Sequence, residues 1–173
     1  MVSSLDGFIA KKDGSVSWMQ STDKYDKGVE LTKEYIEEFL ESIDCYVMGS
    51  RTYEHAIELG WSYGDFPVIV LTNRILKSDK KSVQFLSGDL TEIVTNKLKS
   101  KYENIWMVGG TMLTKEFLRL GLADEINITI MPTLLGDGIL FFDFIEKEIP
   151  LHLKDLVAFK DGMVEMVYEI NKE

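Results

Sequence analysis

Apolar and polar positions fall in blocks along this chain, and the period within each block predicts its element. Ile105-Trp-Met-Val-Gly-Gly-Thr-Met-Leu113 shows this best: four apolar residues run into two glycines, and a helical pattern follows. The run predicts a strand buried on both faces, turning tightly into a helix N-terminus. Cys45-Tyr-Val-Met48 and Val68-Ile-Val-Leu71 predict two more buried strands, and residues 83–86 a brief extended piece. In residues 28–42, and on to Ile43, apolar side chains recur at three- and four-residue steps (Leu31, Tyr35, Ile36, Phe39, Leu40), leaving Glu34, Glu37, Glu38 and Glu41 outside. That is the pattern of an amphipathic helix. A second helix begins near Arg51, capped by Ser50, and fades around Gly60. Asp89 with Glu92 three residues on reads as a capping box, and Leu90, Ile93, Val94 and Leu98 form one apolar face. The helix after Gly110 is expected to reach Leu120, to bury Leu113, Phe117 and Leu120, and to stop at Gly121.

After Gly121 the pattern changes. Ile126-Asn-Ile-Thr-Ile130 alternates strictly, as a strand wet on one face does, and Pro132 ends it. Residues 156–159 and 163–170 flank Lys160-Asp161-Gly162, a hairpin signal that puts Val164, Met166, Tyr168 and Ile170 on one face. At the other end, Asp6-Gly7 marks a turn after about five residues, so the first strand is short. Alternating strands and helices followed by strands predict an α/β fold. Its mostly parallel central sheet has helices on both faces and an antiparallel C-terminal edge. No repeat or linker interrupts the 173 residues, which read as a single domain, 1–173.

Composition narrows the function. The formal net charge of −10 disfavours nucleic acid as a partner. No apolar run reaches membrane-spanning length, and no basic-then-apolar leader opens the chain. Cys45 is the single cysteine, so no internal disulfide forms, and a reducing cytoplasm fits. Within an apolar run it reads as an inert core thiol. With two histidines and one cysteine, a His/Cys metal site is not expected.

Three buried strands end in small or anion-friendly residues: Gly49-Ser50-Arg51-Thr52, Thr72-Asn73-Arg74 and Gly109-Gly110-Thr111. Ligands of open parallel sheets bind outside the carboxyl ends of the strands. Gly109, Gly110, Thr111 and Met112 offer backbone N–H groups to a diphosphate, although a glycine pair also serves plain strand–helix packing. Arg51 and Thr52 bring a second helix N-terminus. Thr72, Asn73 and Arg74 bring hydroxyl, amide and guanidinium groups. Two arginines suit a 2′-phosphate, which favours NADPH over NADH as the cofactor. The glycine fingerprint of an ordinary NAD dehydrogenase is missing.

These pieces join others in one order: Ser4-Leu-Asp-Gly-Phe-Ile-Ala10, Ser17-Trp18, Val47-Met-Gly-Ser-Arg-Thr-Tyr53, Val70-Leu-Thr-Asn-Arg74, Val108-Gly-Gly-Thr111, Gly121-Leu-Ala-Asp-Glu-Ile126 and Pro132-Thr-Leu-Leu-Gly136. The set resembles the dihydrofolate reductase-like family that includes the reductase domain of riboflavin-biosynthesis deaminase–reductases. The resemblance implies the three-layer dihydrofolate reductase-like fold and NADPH-dependent reduction of a small heterocycle. The activity would be similar to that of 5-amino-6-(5-phosphoribosylamino)uracil reductase or of a dihydrofolate reductase-like enzyme. By motif match Gly49, Arg51, Thr52, Thr72, Asn73, Arg74, Gly109, Gly110, Thr111 and Met112 are cofactor contacts. Asp6 and Trp18 flank the substrate, with Asp6 the acid named as proton donor. A homodimer is also implied, with the Ile126 strand and Phe141, Phe142 and Phe144 as interface candidates; the phenylalanines serve equally as core. No acid in Leu31-Thr32-Lys33-Glu34-Tyr35 aligns with that of the folate enzymes. No Asp-Asp-Pro follows the first phosphate-binding helix, and no zinc deaminase set is present. The substrate therefore stays open, and a non-catalytic nucleotide-binding module is the alternative.

Overall fold

Cys45, Tyr46, Val47 and Met48 are almost wholly shielded from solvent, as a strand paired on both sides requires. In the computed structural model, which describes residues 1–171, they form β3 (Cys45–Gly49). The molecule divides into two compact units: residues 34–113, and residues 1–33 together with those from 114 onward.

In the first of these, β3 pairs in parallel with β4 (Val68–Leu71) and β6 (Ile105–Gly109), and β4 pairs in parallel with β5 (Val83–Leu86). The order β5-β4-β3-β6 makes a four-stranded parallel sheet, and all four strands finish at one rim. Val47, Met48, Val68 and Val70 are fully buried, each contributing roughly 1.5–3 kcal/mol through removal from water. Tyr46 packs edge-on against Tyr63 and Phe66, and Tyr53 against Trp61 and Phe85. Helix α2 (Ser50–Glu58) leaves β3 directly and packs on β3 and β4. Gly49, rather than Ser50, takes its N-cap position and makes no side-chain cap. Helix α1 (Lys33–Glu41) is shorter than residues 28–42, because Val29 pairs with Phe159 instead. Its apolar stripe is not buried: Tyr35, Ile36 and Leu40 stay more than a third exposed.

Asp89 caps α3 (Leu90–Glu92) as expected, accepting from the Glu92 N–H at 2.8 Å. The helix widens to a π-helical stretch over Ile93–Leu98, burying Ile93, Val94 and Leu98. Helix α4 (Thr111–Arg119) buries Thr114, Phe117 and Leu118, and Leu120 is 39% exposed, so the buried stripe is displaced from the one expected. Gly121 at φ 66° does end it; the Leu122 N–H returns to the Phe117 carbonyl at 2.9 Å.

The other unit holds a mixed sheet. β1 (Val2–Ser4) runs parallel to β7 (Glu125–Met131), which pairs antiparallel with β10 (Val164–Ile170), itself paired antiparallel with β9 (Leu151–Ala158). β2 (Phe8–Ala10) pairs with the two-residue β8 (Ile139–Leu140). β9 starts five residues earlier than the alternation implies. A bulge opposite Val167 and Tyr168 admits Lys154 as an extra residue and breaks the period of two. Phe141 is core and packs against Phe142 with ring centroids 4.2 Å apart and planes tilted by 44°, whereas Phe144 is 81% exposed. Among the described residues no helix is long and apolar enough to cross a membrane.

Candidate nucleotide-binding rim

The three strand ends singled out by sequence lie side by side. Gly49 sits opposite Leu71 and Met48 opposite Gly109, so β4, β3 and β6 deliver their following loops to neighbouring places on one edge. The Thr52 hydroxyl donates to the Gly109 carbonyl at 3.2 Å, tying the start of α2 to the turn before α4. Gly109 and Gly110 adopt φ of 118° and 83°, values that L side chains rarely reach. A Cβ on Gly110 would lie 3.2 Å from Thr52 Oγ1. Two successive left-handed glycines thus bring bare backbone to the start of α4, where Met112 is 66% exposed. Consecutive N–H groups in such a turn form a concave anion seat, and a helix start adds a favourable field.

At the adjacent end, Thr72 Oγ1 accepts from the Arg74 N–H at 3.0 Å and folds this loop over. A shallow cleft of about 170 Å³ opens here, lined by Leu71, Thr72, Asn73, Leu86, Ser87, Gly88, Leu90 and Ile93. Whole-ligand pockets run to roughly 300–1,000 Å³, so this cleft suits one flat ring system and not a dinucleotide. Leu86-Ser87-Gly88 was missed in the sequence, although it repeats the signal of small residues at a strand end; its strand is the partly exposed edge of the sheet. Glu54 was missed too. Its carboxylate takes both terminal nitrogens of Arg74, at 2.8 and 2.7 Å, and the Arg74 hydrogen bonds hold its pKa below the usual carboxylate range. Arg51 is exposed.

Asp6 and Trp18 belong to the other unit. Asp6 accepts from the Ser4 hydroxyl at 2.6 Å and from the N–H groups of Leu135 and Gly136 at 3.1 and 2.7 Å. The Ser4 hydroxyl above all, helped by those N–H groups against partial desolvation, holds its pKa below the ordinary 3.8. Held this way, the carboxylate favours its ionised form and fastens the turn at Leu135 and Gly136. Because the folded pKa is depressed, this contribution is complete above the ordinary value and disappears as pH falls through the lowered one. Asp6→Asn is expected to melt at lower temperature than the wild type at neutral pH, with the gap closing in strong acid. A gap independent of pH in thermal melts would contradict this. The Trp18 indole N–H is buried and has no hydrogen-bond partner among the described residues, an uncommon state for such a donor. Cys45 is inert, its thiol pushed up to about 11 by burial.

Comparison with known proteins identifies the family and the fold. Residues 1–164 match the RibD C-terminal domain. The uncharacterized protein YwjB of Bacillus subtilis is 31% identical over 159 residues, covering 90% of this chain and 87% of its own. A Shewanella sp. PV-4 protein, provisionally named a riboflavin biosynthesis protein, superposes with a TM-score of 0.84 at 25% identity, covering 99% of this chain and 97% of that one. A Thermotoga maritima diaminohydroxyphosphoribosylaminopyrimidine deaminase/5-amino-6-(5-phosphoribosylamino)uracil reductase superposes with a TM-score of 0.69 at 14% identity. The match covers 98% of this chain and 55% of that larger one, and shows the shared fold. The chain belongs to the RibD C-terminal domain family and has its dihydrofolate reductase-like α/β fold.

Proposed function

We propose that this chain is an NADPH-dependent reductase of a small heterocyclic substrate. The observation that carries the reading is the convergence of three phosphate-friendly strand ends on one rim of a single parallel sheet. The residues there fit the cofactor: a left-handed glycine pair, two helix starts, two arginines and a ring-sized cleft. Gly109, Gly110, Thr111 and Met112 would hold the diphosphate through backbone N–H groups. Arg51 and Arg74 supply positive charge for the 2′-phosphate, with Thr72 and Asn73 beside them. The cleft between Asn73 and Ser87 takes the purine. When bound, the nicotinamide supplies a hydride; the protein supplies position and electrostatics. Thr52, by its hydrogen bond to the Gly109 carbonyl, keeps the turn open. The proton that completes the reduction comes from a side chain, with Asp6 the acid named for it, or from water.

Oxidation of NADPH against a panel of pterins, flavins and ribosylated pyrimidines tests the reading. Turnover with one class is the expected result. Tight NADPH binding without turnover on any class would favour the non-catalytic nucleotide-binding module, and absence of binding would remove both. The reading also carries a homodimer in the cytoplasm as an expectation, to be checked by sedimentation and by cell fractionation.

A further inference from the structure

The rim contains a negative charge that a phosphate site does not need. Glu54 lies one turn along α2 from Arg51, and its two oxygens take both terminal nitrogens of Arg74 at 2.8 and 2.7 Å. Both side chains remain about half exposed, 54% for Arg74 and 41% for Glu54. Such an exposed pair adds little to folding. Its effect is therefore felt mainly by whatever comes to the arginine. A guanidinium has five N–H donors, and the pair of forward-facing ones that grips a phosphate in a fork is the pair Glu54 occupies.

We propose that Glu54 is a specificity-determining residue: its carboxylate occupies the Arg74 fork and narrows the preference for a 2′-phosphorylated dinucleotide over its unphosphorylated counterpart. The proposal rests on the reading of the rim as a dinucleotide site. A 2′-phosphate reaching Arg74 must displace the carboxylate or share the guanidinium with it. In either case a near-dianion comes close to a second anion, and like charges at such range are costly. A ribose 2′-hydroxyl is neutral and meets no such repulsion. Glu54 thus acts against NADPH and leaves NADH nearly untouched.

Titration calorimetry of the full chain with NADPH and with NADH tests this. Glu54→Gln keeps the size and the helix preference of the side chain and removes only the charge. It is expected to tighten NADPH about three- to ten-fold and to leave NADH within about two-fold. Unchanged or weaker NADPH binding in Glu54→Gln, with wild-type binding intact, would overturn the proposal and leave the dinucleotide reading standing. Wild-type protein that binds neither nucleotide would overturn both. Tightening of NADH by the same factor as NADPH in Glu54→Gln would show that Glu54 does not act on the 2′-phosphate, and the proposal falls.

Discussion

Gly110→Val is expected to weaken NADPH binding by about 100-fold or more, the equivalent of two charge-assisted hydrogen bonds at roughly 1.5–3 kcal/mol each. The argument is local. Gly110 sits at φ 83°, where a β-branched residue costs about 1–3 kcal/mol in backbone strain. Its new Cβ would stand 3.2 Å from Thr52 Oγ1, and the Thr52 hydroxyl, which holds the Gly109 carbonyl, would have to shift by a few tenths of an ångström. The methyl groups would also screen the N–H groups that open at the start of α4. A fall in melting temperature of about 2–4 °C per kcal/mol should accompany the loss. Calorimetric titration checks it. An affinity within about three-fold of wild type would remove the glycine turn from the binding site.

The largest effect on stability is expected in the other unit, at Gly28. A Cβ built there lies 2.4 Å from the Phe159 carbonyl carbon, 2.5 Å from its oxygen and 2.6 Å from the Lys160 nitrogen. All three are backbone atoms, so no rotamer change relieves the overlap. The chain is pinned at this crossing: Val29 N–H bonds the Ala158 carbonyl at 2.9 Å, and Lys160 N–H bonds the Val29 carbonyl at 2.8 Å. Phe159 itself is fully buried. Gly28→Ala must push residues 28–29 off the start of the Phe159 turn, breaking these bonds and uncovering Phe159. A loss of about 3–5 kcal/mol follows, or roughly 10 °C or more in melting temperature. A melting temperature within about 3 °C of wild type would show that the two segments separate easily.

What could be read before the structure was whatever short-range pattern encodes. The parallel strands are runs of apolar residues with no polar face, and the glycines after them announce a turn that only glycine makes. Asp89 and Gly121 mark helix ends through bonds to residues within five positions. The misses all depend on distant partners. Residues 28–32 look helical by period, but Val29 is claimed by Phe159, 130 positions away. β9 hides behind its bulge, since one extra residue inverts the alternation that would reveal it. Asp6 looks like an acid in a turn; two of its partners, Leu135 and Gly136, arrive from the other end of the chain, which no short-range pattern encodes. Glu54 carries no local signal beyond being an acid on the polar face of a helix, and only the fold brings Arg74 to it. The buried face of α4 is set by what covers it, which a three-to-four period does not specify.

The central claim is that strand ends far apart in sequence form one seat for a phosphorylated dinucleotide. Amide hydrogen exchange of the full chain, followed by mass spectrometry with and without NADPH, tests it most directly. Slowed exchange is predicted in peptides covering residues 49–52, 72–74, 86–88 and 109–113 together, and no change in the β9 strand at residues 151–158. Protection confined to one of those loops, or appearing only elsewhere, would contradict the account.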